Sequence, residues 1–162
     1  MTEENVLLTE ITGFRRGFRS VVMATVGPDG TPTASYSPYA SDESGDCFVL
    51  MSGLARHTRD LLGGGRVSLL FLENEEAAQN IFGRRRLTCS CLATEVTRQD
   101  RSWEPKLDLL REQQGKLVEM LRQLPDFRLF RLAPQSGSYV SGFAQAHALE
   151  SAALREILGR DG

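Results

Sequence analysis

Short runs in which apolar and polar residues alternate dominate the chain and predict a protein built mainly from β-strands. Two such runs, residues 20–26 and 31–39, flank Gly27-Pro28-Asp29-Gly30. This is a strong turn signal, because proline presets φ and glycine accepts positive φ. Residues 20–39 are therefore predicted to form a β-hairpin. The other predicted strands are residues 47–51, 67–72, 86–99, 127–133 and 138–146, with a turn at 135–137.

Apolar residues at helical spacing predict several helices beside these strands. An N-terminal helix lies within residues 1–17, and residues 105–124 form the clearest stripe of leucines among charged residues. Shorter helices are predicted at residues 54–62 and 150–158. Six or seven strands joined by hairpins, with few helices, favour a single domain over residues 1–162: an antiparallel barrel with helices packed outside.

Composition narrows the classes of protein that this chain can belong to. The net charge is −2, which gives no overall field for nucleic acid, although 19 basic residues form several local clusters. Such clusters suit small anionic ligands. No run approaches the ~18 apolar residues that would span a bilayer, and the acidic N-terminus does not resemble a signal peptide. We therefore expect a soluble, cytoplasmic protein without membrane or nucleic-acid partners.

Three cysteines, Cys47, Cys89 and Cys91, form no CxxC motif. The pair at 89 and 91 shares one face of a predicted strand, where buried free thiols are the simpler interpretation and a thiolate pair the alternative. With only two histidines and no HxxxH pattern, no structural metal site is predicted.

Residues 52–60 place a hydroxyl and several cations at the start of a short predicted helix, and Ser52, Arg56, His57 and Thr58 are the candidate ligand-binding residues. The first amide N–H groups of a helix have no intrahelical partners, and the helix dipole adds partial positive charge. An ordinary solvated helix face with a serine cap is the alternative. We interpret the segment as a pocket for a phosphate-bearing cofactor.

Four blocks of sequence together resemble one known family. They are ATVGPDGTPTASYSPYA, SGLARHTRDLLGGGRVSLLFLENE, RRRLTCSC and GSYVSGFAQA. Between about residues 18 and 149, the chain is similar to the FMN-binding split-barrel superfamily typified by pyridoxamine 5′-phosphate oxidase. It looks most like the haem-utilisation branch, which is similar to haem oxygenases. The resemblance implies a six- to seven-stranded antiparallel split β-barrel with peripheral helices.

The resemblance also implies a homodimer with two cofactor sites at the subunit interface. Its flavin-binding members hold the FMN phosphate with the segment that matches Ser52 and residues 55–58. By this match Arg56 is the phosphate arginine, and His57 stands where the oxidase has a lysine. Tyr36 and Ser37 would line the flavin ring. Arg86 would lie near the ring edge.

The chain departs from the oxidase at positions that matter for its activity. Ser35 and Ala40 stand where the oxidase has an arginine and a lysine, and no C-terminal substrate-binding segment is recognisable. Oxidation of pyridoxamine phosphate is therefore not expected. Haem-degrading relatives use a C-terminal histidine as the iron ligand, and beyond the last predicted strand His147 is the candidate for that role.

Three functions remain open from the sequence. The first is an FMN-dependent oxidoreductase acting on a small molecule, in which Arg86 stabilises the reduced flavin. The second is a haem-binding or haem-degrading protein using the same interface groove, with arginines on the propionates. Arg84 and Arg86 share a strand face and could serve there, or they form a solvated charge run. The third is a binding module without cofactor. No residue stands out as a general acid or base.

Overall fold

The computed structural model describes residues 1–160. Within them eight strands and five α-helices form one antiparallel assembly. The strands are β1 (Ser20–Val26), β2 (Pro32–Pro38), β3 (Ala40–Ser41), β4 (Cys47–Ser52), β5 (Arg66–Leu72), β6 (Arg86–Val96), β7 (Phe127–Gly142) and β8 (Gln145–Glu150). The helices are α1 (Glu3–Arg16), α2 (Arg56–Gly64), α3 (Trp103–Gln114), α4 (Leu117–Leu121) and α5 (Ser151–Leu158).

The eight strands form one sheet in the order β2-β1-β5-β6-β7-β4-β3, with β8 paired to β7. Every pairing is antiparallel. No ladder within residues 1–160 joins the edge strand β2 to β3 or β4, so the barrel stays open along that line. The prediction of a mainly antiparallel split barrel with peripheral helices is thereby confirmed.

The two faces of the sheet differ because side chains alternate along each strand. Met23, Leu69 and Cys89 lie opposite one another in adjacent strands and are fully buried, so they mark the inner face. Their neighbours Val22 and Leu70 lie on the outer face. The inner face forms the main core, which α1, α2 and α5 help to enclose with Ile11, Leu61, Leu154, Ile157 and Leu158.

A second core lies where α3 and α4 cover one end of β4 and β7. Trp103, Leu107 and Leu110 of α3 pack there with Phe48 of β4 and Leu129 of β7. Arg98 helps to hold this unit together, since its guanidinium stacks on the Trp103 ring at 4.7 Å. This helical cover is what fixes the chain that follows it, residues 122–127, beside the end of β4.

The predicted helix over residues 105–124 is two helices, which corrects the sequence interpretation. The helix α3 ends at Gln114 and α4 begins at Leu117, with Gly115 between them at φ 101°. An L side chain is strained at that φ, whereas glycine adopts it freely. The leucine stripe continues through the break, and for that reason the sequence pattern alone suggests one helix.

The predicted turn at residues 135–137 is also wrong. The strand β7 runs from Phe127 to Gly142, and Ser136 and Gly137 stay paired with Ser90 and Cys89 of β6. The pairing register shifts by one residue at Gln135, so the chain has a β-bulge there and does not reverse. Gly137 is needed for close packing, because a Cβ there would lie 2.3 Å from the backbone oxygen of Thr88. The true reversal lies at Phe143 and Ala144, between β7 and β8.

The three cysteines are free thiols buried in the main core. Burial raises the pKa of each, that of Cys91 to about 12. They therefore act as small apolar side chains. No helix in the part of the chain described is long and apolar enough to cross a membrane.

Candidate functional site

The predicted ligand-binding segment lies where β4 ends and α2 begins. Ala55 is the N-cap of α2, and its side chain can make no capping hydrogen bond. The first amide N–H groups of the helix therefore lack a side-chain acceptor, and the positive end of the helix dipole lies there. This geometry favours an anion at the start of α2.

Arg56, the first residue of α2, is already paired within the protein. Its Nε lies 3.4 Å from Oδ1 of Asp60, one helical turn further on. Asp60 is buried and also accepts a hydrogen bond of 2.8 Å from the Thr25 hydroxyl of β1. Because Asp60 neutralises the arginine locally, the positive charge offered to a ligand is smaller than the sequence suggests. The sequence analysis missed Asp60 and Thr25, although the i, i+4 spacing of Arg56 and Asp60 is a recognised pairing signal.

His57 joins α2 to strand β2. Its Nδ1 lies 2.7 Å from the Ser35 hydroxyl. Burial lowers the pKa of His57 below its ordinary value, an effect that the Asp60 carboxylate partly opposes. The imidazole is therefore neutral near pH 7 and offers a ligand a hydrogen bond without a full charge. Ser35, which stands where the oxidase has an arginine, is thus the histidine's partner.

Ser52 and Thr58 complete this group in different ways. The Ser52 hydroxyl donates to Oδ2 of Asp126 at 3.2 Å and accepts the Leu54 amide at 3.2 Å. Thr58 is fully buried, and its hydroxyl has no hydrogen-bond partner. We refer to Ser52, Arg56, His57 and Thr58 as the α2 cluster. Within the cluster, Ser52 and His57 are hydrogen-bonded to other residues of the chain, Arg56 is ion-paired, and Thr58 is buried.

A close backbone approach fixes the cluster to the end of the second core. The Gly53 amide donates to the backbone oxygen of Asp126 at 2.7 Å. A Cβ on Gly53 would lie only 2.7 Å from the same oxygen, so the approach requires glycine. The Asp126 carboxylate consequently lies beside the start of α2 and lowers the local positive potential.

The remaining predicted site residues do not join the α2 cluster within one chain. Tyr36 is exposed on the outer face, in one row with Val22, Leu70 and Thr88. Arg86 lies on the same face, two residues before Thr88, and its Nη1 donates to the Arg84 backbone oxygen at 3.0 Å. Tyr36 and Thr88 are three strand spacings apart, roughly 14 Å. Ser37 is buried, and its hydroxyl donates to the Pro38 backbone oxygen.

An open groove of ≈ 610 Å³ runs over the outer face. Its walls combine small apolar side chains with one cation, three hydroxyl residues and one glutamine. They include Ala24, Val26, Pro32, Arg66, Ser68, Ser90 and Leu92. A groove of this size and polarity suits a small organic ligand or another protein surface.

His147 lies on β8 opposite Tyr139, at the far end of β7 from the α2 cluster. It is half-buried, and its Nε2 lies 3.4 Å from the Ser141 hydroxyl. In residues 1–160 no three His, Cys, Asp or Glu side chains stand close enough together to hold a metal ion.

Comparison with protein-family models matches residues 7–141 to the pyridoxamine 5′-phosphate oxidase family. The chain is 39% identical over 138 residues to Heme oxygenase HutZ of Vibrio cholerae serotype O1, which covers 85% of this chain and 78% of that protein. It is 30% identical over 118 residues to Non-canonical heme oxygenase HOZ, chloroplastic, of Arabidopsis thaliana. That match covers 73% of this chain but 34% of the relative, so the chain spans about a third of the plant protein.

Solved structures agree with these matches. The crystal structure of HutZ, there described as the heme storage protein from Vibrio cholerae, superposes with a TM-score of 0.74 at 38% identity. It covers 78% of this chain and 89% of that chain. ChuZ of Campylobacter jejuni superposes with a TM-score of 0.81 at 26% identity, over 94% of this chain and 62% of that chain.

Proposed function

Since the chain belongs to the pyridoxamine 5′-phosphate oxidase family, we propose that it is a haem-binding member of that family. The observation that carries the proposal is the 39% identity, over 85% of the chain, to a protein named as a heme oxygenase. The names of that relative describe both oxidative cleavage and storage of haem. Both activities begin with bound haem, so binding is the property to test first.

The electrostatics of the α2 cluster favour haem over FMN. The FMN phosphate carries close to two negative charges and needs several cationic or donor groups. Here Asp60 neutralises Arg56, His57 is neutral, and the Asp126 carboxylate stands beside Ser52. A haem propionate carries one charge, which the open amides of α2 and a half-exposed Arg56 suit better. FMN chemistry, the first function considered from the sequence, is therefore not the one we propose.

The residues of this chain would bind and orient the haem, and the bound haem itself supplies iron-centred redox chemistry. Arg56 and the first amides of α2 would hold a propionate, and His57 would donate a hydrogen bond. Thr58 is too deeply buried to reach a ligand without movement of the helix. No residue of the chain is assigned to proton transfer.

We further propose that two copies of the chain form a homodimer through the outer face. Tyr36 and Arg86 are on that face, whereas the α2 cluster lies on the other side of the sheet. A second copy against the outer face would cover its exposed apolar side chains, such as Val22 and Val26. We expect the wild type to sediment at twice the mass of the chain; a wild type that sediments as a monomer would overturn this arrangement. A Val22→Asp variant should then sediment as a monomer, with Val6→Asp on α1 as the matched control.

The haem proposal is tested by titrating the purified protein with haemin and following the Soret band. We expect saturable binding at one haem per chain and weaker binding in Arg56→Ala, with Arg101→Ala as the exposed arginine control. FMN is titrated in parallel. Tight FMN binding together with only unsaturable haemin association would overturn the proposal in favour of the flavin function. Absence of both leaves the cofactor-free module as the conclusion.

The sequence contains two histidines, so the iron ligand can be assigned by two variants. His147→Ala and His57→Ala are compared by the position of the Soret band and by their haemin affinity. A shifted Soret band in His147→Ala alone assigns that histidine as the ligand. Unchanged bands in both variants exclude a histidine of residues 1–162 from the iron.

A further inference from the structure

Four large apolar side chains, one just before α2 and three on or just after α4, are exposed to solvent. Leu54 is 82% exposed, Leu117 61%, Met120 56% and Leu124 37%. We call these four residues the apolar ledge. Leu117, Met120 and Leu124 have the spacing of one helical face, because the turn continues beyond α4 through hydrogen bonds from Gln123 to Met120 and from Leu124 to Leu121.

Several contacts hold the backbone of the ledge at α4 and at residues 122–124. Arg98 donates to the backbone oxygens of Arg122 and Leu124, at 3.2 and 2.8 Å, while its guanidinium stacks on Trp103. Arg122 is surrounded by three carboxylates, those of Glu104, Asp108 and Glu119. Val118 of α4 is buried in the second core. The exposed side chains thus project from backbone that is already ordered, so little conformational entropy would be lost there when a ligand binds.

The ledge begins next to the N-terminal end of α2. Leu54 follows Gly53, whose amide is bonded to Asp126, and Asp126 lies two residues after Leu124. On its other side Leu54 is two residues before Arg56, which starts α2. An apolar surface therefore adjoins the start of α2, which has open amides and the half-exposed Arg56 and lies near the Asp126 carboxylate that Ser52 binds.

We propose that the apolar ledge supports the porphyrin body of haem while a propionate lies at the start of α2. This inference rests on the proposed haem function and adds the surface that selects the macrocycle. The ledge and the start of α2 match haem in charge and polarity, because haem is a broad apolar ring with carboxylates along one edge. A hydrophilic phosphate ester such as FMN can use the helix end but leaves the ledge exposed to water. Contact with the ledge is therefore what distinguishes the two ligands.

Leu54→Ser, Met120→Gln and the double variant test the ledge, since both side chains are largely exposed and neither belongs to a core cluster. Val6→Ser on α1, where Val6 is 53% exposed, is the matched control. The probes are haemin and metal-free protoporphyrin IX, which has the same ring and carboxylates without iron. We expect the double variant to bind both probes at least tenfold more weakly than the wild type, and the control to bind them equally.

Several results would overturn the inference. A double variant with wild-type affinity for both probes removes the ledge from the site while leaving the haem function intact. Weaker binding of haemin with unchanged binding of protoporphyrin IX would mean that the variants act through the iron and that the ring does not lie on the ledge. A double variant that loses its dimer, measured by sedimentation, would show that a second copy covers the ledge. Wild-type protein that binds neither probe refutes the haem function itself.

Discussion

Replacing Gly53 by alanine tests the contact that fixes the α2 cluster to the second core. The added Cβ would lie 2.7 Å from the backbone oxygen of Asp126, about 0.7 Å closer than the 3.4 Å at which ordinary contact begins. The neighbour is backbone and cannot rotate away. The two segments must therefore separate, which stretches the 2.7 Å hydrogen bond between the Gly53 amide and that oxygen.

The expected loss of stability follows from two effects. Overpacking of this kind costs about 1–3 kcal/mol, and the weakened hydrogen bond adds about 1 kcal/mol. Together they predict a free energy of unfolding lower by about 2–4 kcal/mol. For a chain of this length this corresponds to a fall in Tm of roughly 4–16 °C. The separation also displaces Leu54 and the first turn of α2, so haemin affinity should fall as well.

Gly13→Ala is the matched control, because it makes the same chemical change with the opposite expected sign. Gly13 lies inside α1, and a Cβ there would meet nothing within 4 Å. Alanine is favoured over glycine in a helix interior by up to about 1 kcal/mol, so Tm should rise by roughly 2–4 °C. Thermal unfolding of both variants by circular dichroism, at one protein concentration, measures the contrast. A Gly53→Ala variant as stable as the wild type would refute the steric argument.

Three further predictions follow from other parts of the structure. Thr58→Val removes a buried hydroxyl that has no hydrogen-bond partner, so it should raise the free energy of unfolding by about 1 kcal/mol. A lower free energy of unfolding in chemical denaturation would show that the hydroxyl has a partner in the native protein. Folding lowers the pKa of His57, so protonation of this side chain opposes folding and the protein loses stability as the pH falls below the ordinary value of 6.5. Between pH 7 and 5 the wild type should therefore lose more free energy of unfolding than His57→Gln. The NMR titration midpoint of His57 should lie below 6.5. Cys47, Cys89 and Cys91 should react with a thiol reagent only as fast as the protein unfolds, and rapid labelling of the native protein would contradict their burial.

Local sequence signals determined much of the fold. Gly27 to Gly30 encodes the β1–β2 turn by itself, because glycine and proline restrict the backbone whatever surrounds them. The helix α2 was predicted at residues 54–62 and lies at Arg56–Gly64, so its existence was predictable and each end was displaced by two residues. The family followed from the same blocks, and the match over residues 7–141 confirms it.

Contacts between distant segments were not available to such local reasoning. Gly137 was predicted as a turn residue, but it lies in mid-strand because Thr88 of β6 approaches its backbone. The pairings of His57 with Ser35 and of Ser52 with Asp126 join segments 22 and 74 residues apart. The second pairing depends on how α3 and α4 cover the sheet.

The sequence by itself determined the β-hairpin, the strands β4 and β5 and the clustering of the candidate binding residues near one helix start, because each depends on neighbours along the chain. Only the tertiary structure decided how much charge that cluster presents and which residues share a surface. Those properties depend on burial and on side chains brought together across the sheet. Asp60 shows the difference: in sequence it is one acidic residue among several, and in the fold it is a buried carboxylate that neutralises Arg56.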